Sequence, residues 1–231
     1  MKETLLRNYI EKLKKFGKDF FNKNVVRNII YISCGIILFI AGVIAYGIIL
    51  NVREISLDEA IRLNGLEELK KVNIVVDRKN YVLMLYEDTI LVKSYRASFG
   101  RNVGKQKSSK DDGATPVGNY QICSIDTIFK YHKFFKLNYP NLSDISDALR
   151  RGRISQAEYD KLRFQFFYDE CPSLETNLGG NIGIHGIGRL NSIFKNLPFV
   201  YNWTDGSIAL SNESIDELYK VVKRGTKVVI R

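Results

Sequence analysis

Hydrophobic and polar positions divide this chain into three textures. In residues 1–27 apolar side chains recur at helical spacing (Leu6, Tyr9, Ile10, Leu13, Phe16, Phe20) among lysines and arginines, the signature of a basic amphipathic helix or of a solvated one. Residues 28–52 carry no charge and are rich in Ile and Leu, a stretch longer than the roughly 20 apolar residues that cross a hydrocarbon core. Residues 53–72 open with Ser56-Leu57-Asp58-Glu59, a capping box, and predict a short linker or stalk helix to about Leu69, broken or kinked at Asn64-Gly65.

From Val72 the period shortens to two. Residues 73–76, 81–86 and 89–98 predict strands, the last two forming a hairpin across Glu87-Asp88. A loop rich in Gly, Lys, Ser and Asp follows (100–118) and runs into a strand at Tyr120-Gln121-Ile122. Residues 142–166 predict two short helices joined at Gly152, with Ser155 capping the second. Strands return at 181–185 and 206–210. A helix capped by Asn212 or Ser214 then runs to Val222, and residues 227–230 close the chain as a last strand. The expected architecture is mainly β: a sandwich or partly closed barrel over 73–231 with short helical insertions, preceded by one N-terminal transmembrane helix.

Charge sharpens this picture. The formal net charge is +10, which raises a nucleic-acid reading, but half of it lies in residues 1–27. A basic flank beside an apolar span predicts a cytoplasmic N-terminus, with everything from Arg53 onward beyond the cytoplasmic membrane. A cleaved signal peptide is the competing reading, since Ala45-Tyr46-Gly47 has the shape of a cleavage site. Cys123 and Cys171 fall in the exported part, where they either pair or stay as two buried thiols.

The chemistry concentrates near the C-terminus. His185, one of two histidines, ends an apolar run between glycines in Gly183-Ile184-His185-Gly186. Ser207 follows Gly206 and opens another apolar run. A histidine and a hydroxyl, each at a strand edge, are candidates for a base and its nucleophile. His132 sits among aromatics and lysines and is expected to be structural or on the surface. Neither metal-ligand spacing nor a phosphate-cradling loop is present, so no metal or cofactor is expected.

Four blocks in order carry a resemblance: residues 73–102 with Leu83-Met84-Leu85-Tyr86, residues 111–122 (Asp111-Asp112-Gly113-Ala114-Thr115-Pro116-Val117-Gly118-Asn119-Tyr120-Gln121-Ile122), residues 178–186 ending Ile184-His185-Gly186, and residues 202–230 with Trp203-Thr204-Asp205-Gly206-Ser207-Ile208-Ala209 and the helix and strand after it. Together they resemble the L,D-transpeptidase (YkuD-type) catalytic domain over 73–231. The resemblance implies an enzyme that acylates itself on a peptidoglycan stem peptide and passes the acyl group to an amine or to water. It implies His185 as base, Gly186 and Gly206 as backbone that orients the imidazole or faces an oxyanion, and Tyr120, Trp203 and Asp205 near the cleft. The family's nucleophile is a cysteine, and here that position holds Ser207. The alternative expectation is a catalytically impaired relative that binds cell-wall peptide. Expected partners are stem peptides and the membrane, with no nucleic acid.

Overall fold

The computed structural model describes residues 7, 8, 10–12, 23–51, 54–168, 171 and 176–231. Leu6, Tyr9, Leu13, Phe16 and Phe20 of the expected amphipathic tail lie outside the described residues. Helix α1 (Lys23–Asn51) is continuous and is long and apolar enough over Lys23–Ile49 to cross a membrane. Its many β-branched residues are mediocre helix formers in water. In lipid, where the backbone has no other partner, they hold a helix readily.

The stretch read as a linker is part of the folded domain. Helix α2 (Leu57–Leu63) is capped by Ser56, whose Oγ accepts from the Glu59 N–H at 3.2 Å. Leu57 and Ala60 are buried in the main core, and the Leu57 N–H donates to Glu217 Oε1 at 3.0 Å. The helix stops short of Leu69 because Gly65 adopts φ +69° and the Leu66 N–H returns to the Ile61 carbonyl, a glycine-terminated helix end. Leu66 and Leu69 then reach the same core from a new direction.

Eight strands follow: β1 (Val72–Asp77), β2 (Val82–Glu87), β3 (Ile90–Arg96), β4 (Gly118–Phe129), β5 (His132–Leu137), β6 (Gly183–Gly186), β7 (Ile208–Leu210) and β8 (Lys227–Ile230). They form one mixed sheet in the order β3-β2-β1-β8-β4-β5-β6-β7, parallel at β1/β8 and β6/β7. The long strand β4 pairs with β8 through Gly118–Gln121 and with β5 from Ile122 onward, so it turns the corner between two half-sheets. The two ends meet. Beyond β3, Ser98 exchanges both backbone hydrogen bonds with Ala209 of β7, and Gly100 bridges Thr204. The expected partly closed barrel is therefore a twisted sheet stitched shut around Ile74, Leu83, Phe99, Phe135, Ile184 and Ile208.

Strand β5 was not expected from the sequence pattern. Phe134 and Phe135 are both buried, on opposite faces, so the alternation that marks a half-exposed strand is missing. The insertion forms α3 (Leu142–Arg150) and α4 (Gln156–Tyr168), with Gly152 between them at φ +67° and Ser155 Oγ accepting from the Glu158 N–H. Past a 3-10 turn (Gly188–Leu190) and the short α5 (Asn191–Phe194), helix α6 (Asn212–Val221) is capped by Ser211, one residue before the expected cap. Ser211 keeps extended backbone at the end of β7 and takes the Ser214 N–H on its Oγ, which is what an N-cap requires. Cys123 of β4 is bonded to Cys171, with Cα atoms 5.1 Å apart. This settles the two readings in favour of a disulfide.

Candidate active site

His185 lies on β6 and pairs in parallel with Ala209 of β7. Their neighbours Ile184 and Ile208 are fully buried in the core, so alternation turns His185 to the opposite face. That face is roofed by aromatic rings. Tyr131 stacks on the imidazole at 5.2 Å, Trp203 meets it edge-on at 5.6 Å, and Phe129 and Phe134 stand at 5.9 and 6.3 Å. Only 3% of His185 is exposed. Its Nδ1 lies 2.7 Å from the Gly186 carbonyl. A carbonyl oxygen only accepts, so Nδ1 carries the proton and the neutral ring leaves Nε2 free of one, the tautomer a general base needs. Burial drives the pKa down to about 4, against the Gly186 bond, which favours the cation.

Ser207 stands just before β7, half-buried, and its Oγ accepts from the Gly183 N–H at 3.2 Å. Gly183 precedes His185 by two residues on β6, so base and hydroxyl occupy neighbouring segments at the same end of the sheet. Among the described residues no hydrogen bond joins the imidazole directly to Ser207 Oγ. The segment is a tight turn built by Thr204: its Oγ1 donates to the Ser207 carbonyl at 2.6 Å and accepts from the Gly206 N–H at 3.3 Å. That N–H, expected to face an oxyanion, is thus engaged within the turn. Gly206 adopts φ +128°, and a Cβ there would sit 2.7 Å from the Ala114 carbonyl oxygen. Gly206→Ala is accordingly expected to cost about 1–3 kcal/mol, read as a lowered melting temperature of the purified full-length chain. An unchanged melting temperature would show that the turn relaxes freely.

The other expected residues separate. Asp205 is exposed, and its carboxylate is taken by Arg101 Nη2 at 2.5 Å. The carbonyl of Gly186, not a side-chain carboxylate, holds the histidine. Trp203 belongs to the His185 roof, with its indole Nε1 buried and unpartnered. Tyr120 lies in the core, its hydroxyl 3.2 Å from Asp144 Oδ1. His132 pairs with Asp216 at 2.7 Å near the surface.

Ser207 and Asp205 line a cleft of about 350 Å³ with Arg101, Lys107, Lys110 and Asn181. The loop that supplies its cations is ordered around one carboxylate. Burial alone would raise the pKa of Asp112, but the backbone N–H groups of Ser108, Ala114 and Ser109 and the ammonium of Lys107 hold it at about 2. Lys107 is itself buried, bridged to Asp112 at 3.0 Å. Sequence reasoning missed Phe129, Tyr131 and Phe134, whose signal was the aromatic run around His132, and missed Asp112, which nothing in the pattern distinguished from its neighbours.

Residues 71–230 match the model of the YkuD family, the L,D-transpeptidase catalytic domain, and the chain belongs to that family. Among solved structures it is similar to an L,D-transpeptidase of Xylanimonas cellulosilytica, with 14% identity over 75% of this chain and 68% of that one and a TM-score of 0.41. It is also similar to Bd1075 of Bdellovibrio bacteriovorus (21% identity, 71% of this chain and 48% of that one, TM-score 0.43). A third is a mutant of the helical cell shape determining protein Pgp2 of Campylobacter jejuni (20% identity, 71% and 48%, TM-score 0.46). The match spans about half the length of the latter two. No curated protein matches this chain.

Proposed function

We propose that this chain is a membrane-anchored L,D-transpeptidase-type enzyme that acts on peptidoglycan stem peptides beyond the cytoplasmic membrane, with α1 as a single-pass anchor and the N-terminus inside. The observation that carries the reading is the neutral, Nδ1-protonated imidazole of His185 on β6, the strand whose Gly183 N–H holds Ser207 Oγ, in a domain of this family. In the proposed reaction Nε2 of His185 takes the Ser207 proton as Oγ attacks the carbonyl of the L,D-peptide bond. The C–N bond then breaks, the imidazolium returns the proton to the departing amine, and an ester remains on Ser207. An incoming amine gives a cross-link, and water gives a trimmed stem.

Serine is the harder nucleophile, because an alkanol gives up its proton less readily than a thiol with a pKa near 8.5. The Gly183 N–H offsets part of this deficit: a hydrogen bond to a charged group contributes roughly 1.5–3 kcal/mol, and this donor already points at Oγ. The cleft is lined by Arg101, Lys107 and Lys110 against Asp111 and Asp205, a small positive excess toward the carboxylates of a stem peptide. The second reading, a binder of cell-wall peptide without turnover, is favoured by the missing direct bond between His185 and Ser207.

The test is incubation of the full-length chain with a tetrapeptide stem, followed by intact-mass analysis. An acyl adduct on Ser207 with release of the terminal amino acid supports the enzyme. Saturable binding with neither adduct nor release supports the binder.

A further inference from the structure

We infer that the segment after β6, residues 187–201, is a membrane-docking surface seated on the phospholipid bilayer that α1 crosses. This rests on the anchored reading above. Chain geometry supplies the first support. Helix α1 ends at Asn51, and Glu54, Ile55 and Ser56 line one cavity of about 280 Å³ together with Phe194, Phe199 and Tyr201. At 3.3–3.6 Å per residue, the three steps from Asn51 to Glu54 span at most roughly 10 Å, so Glu54, across one cavity from this segment, stays near the anchor's end. Contact supplies the second. Gly47 of α1 lies against the backbone of Asn196, so closely that a Cβ would fall 1.8 Å from its carbonyl oxygen.

The surface chemistry fits a lipid interface. Leu190, Ile193, Phe199 and Tyr201 are 53%, 48%, 58% and 55% exposed, a cluster that water alone does not favour. Residues 187–201 include Arg189 and Lys195 and no acid; Lys195 is bridged to Glu213, which leaves the exposed Arg189 to meet anionic headgroups. Helix α1, about 43 Å long at 1.5 Å per residue, exceeds a hydrocarbon core of about 30 Å. The surplus of about 13 Å is shared by its two ends, and toward the C-terminal end Tyr46 stands exposed, an aromatic of the kind that concentrates at headgroups. The segment is also held from behind. Arg96 Nη1 donates to the Leu197 carbonyl at 2.6 Å from β3, and within the segment Asn196 Nδ2 donates to the Ser192 carbonyl at 2.7 Å. Because Ile187 directly follows the carbonyl that orients His185, docking sets the height of the site above the bilayer.

The experiment reconstitutes the full-length chain into vesicles of phosphatidylcholine and phosphatidylglycerol with brominated acyl chains. It measures quenching of a tryptophan introduced as Phe199→Trp, compared with Phe164→Trp on α4, after subtracting the signal of Trp203. Severalfold stronger quenching at 199 is expected, and Leu190→Glu combined with Ile193→Glu is expected to abolish the difference without lowering the melting temperature. Equal quenching at the two positions, with the chain retained in the vesicles through a carbonate wash, overturns docking and leaves the anchor standing. Loss of the chain in that wash overturns the anchor and docking together. Cross-linking between copies at 199 without bromine quenching assigns the surface to a second copy and likewise overturns the proposal.

Discussion

Ser207→Cys is expected to accelerate acylation by a stem tetrapeptide or a carbapenem by about 10²-fold or more, since the thiolate is both the more accessible and the more reactive nucleophile. Adding His185→Ala to either form is expected to lower the rate by about 10²–10⁴-fold, the usual worth of a positioned general base. The pH profile separates this role from a structural one. With its pKa pulled to about 4 by burial, His185 stays neutral and base-competent well below neutrality, so the acid limb of the rate should fall near pH 4 and not near the 6.5 of a free histidine. A Ser207→Cys chain that reacts equally well without His185 would remove the base from the mechanism, and an acid limb near 6.5 would show that the ring is solvated when it reacts. The same burial links to stability. Between about pH 6.5 and 4 the unfolded chain binds the proton that the folded ring refuses, so the folded state loses stability as pH falls through that window.

Breaking the disulfide is expected to cause a large loss of stability in the domain over residues 71–230. Cys123 and Cys171 are separated by 48 residues, and cross-linking a loop of that size removes about 4 kcal/mol of unfolded-chain entropy. At about 2–4 °C per kcal/mol for a chain of this size, Cys123→Ser should lower the melting temperature by about 8–16 °C. Cys171→Ser should match it, and the double substitution should cost no more than either alone. Additive losses would show that the two side chains matter through packing and not through the bond. The loop they close contains β5, α3 and α4, so proteolysis of the reduced form should begin there.

The legible parts of the fold were those where one physical signal acted alone. The charge-free run of α1, the capping box at Ser56, the hairpin of β2 and β3 and the closing strand β8 each follow from local pattern, and the structure has them close to where the pattern puts them. Strand β5 was hidden because it is buried on both faces, with Phe135 in the core and Phe134 beside His185. Residues 53–72 read as a stalk because nothing local announces that Leu57 inserts into a core built by residues far along the chain. The site divides in the same way. His185 and Ser207 stand out by rarity and flanking glycines. The ring stack that sets the histidine's proton affinity comes from the β4–β5 turn, and the loop around Asp112 becomes visible only when four donors converge on one carboxylate. Partners chosen by tertiary contact leave no periodic trace.

The bridge that joins Ser98 to Ala209 has a consequence for biosynthesis. The turn carrying Ser207 is held between that pairing and the Gly100–Thr204 pairing, and both depend on segments from opposite ends of the domain. Such long-range closure comes late in folding. A chain whose C-terminal third has not yet been made has neither pairing, so the turn carrying Ser207 is held in place only once synthesis is complete.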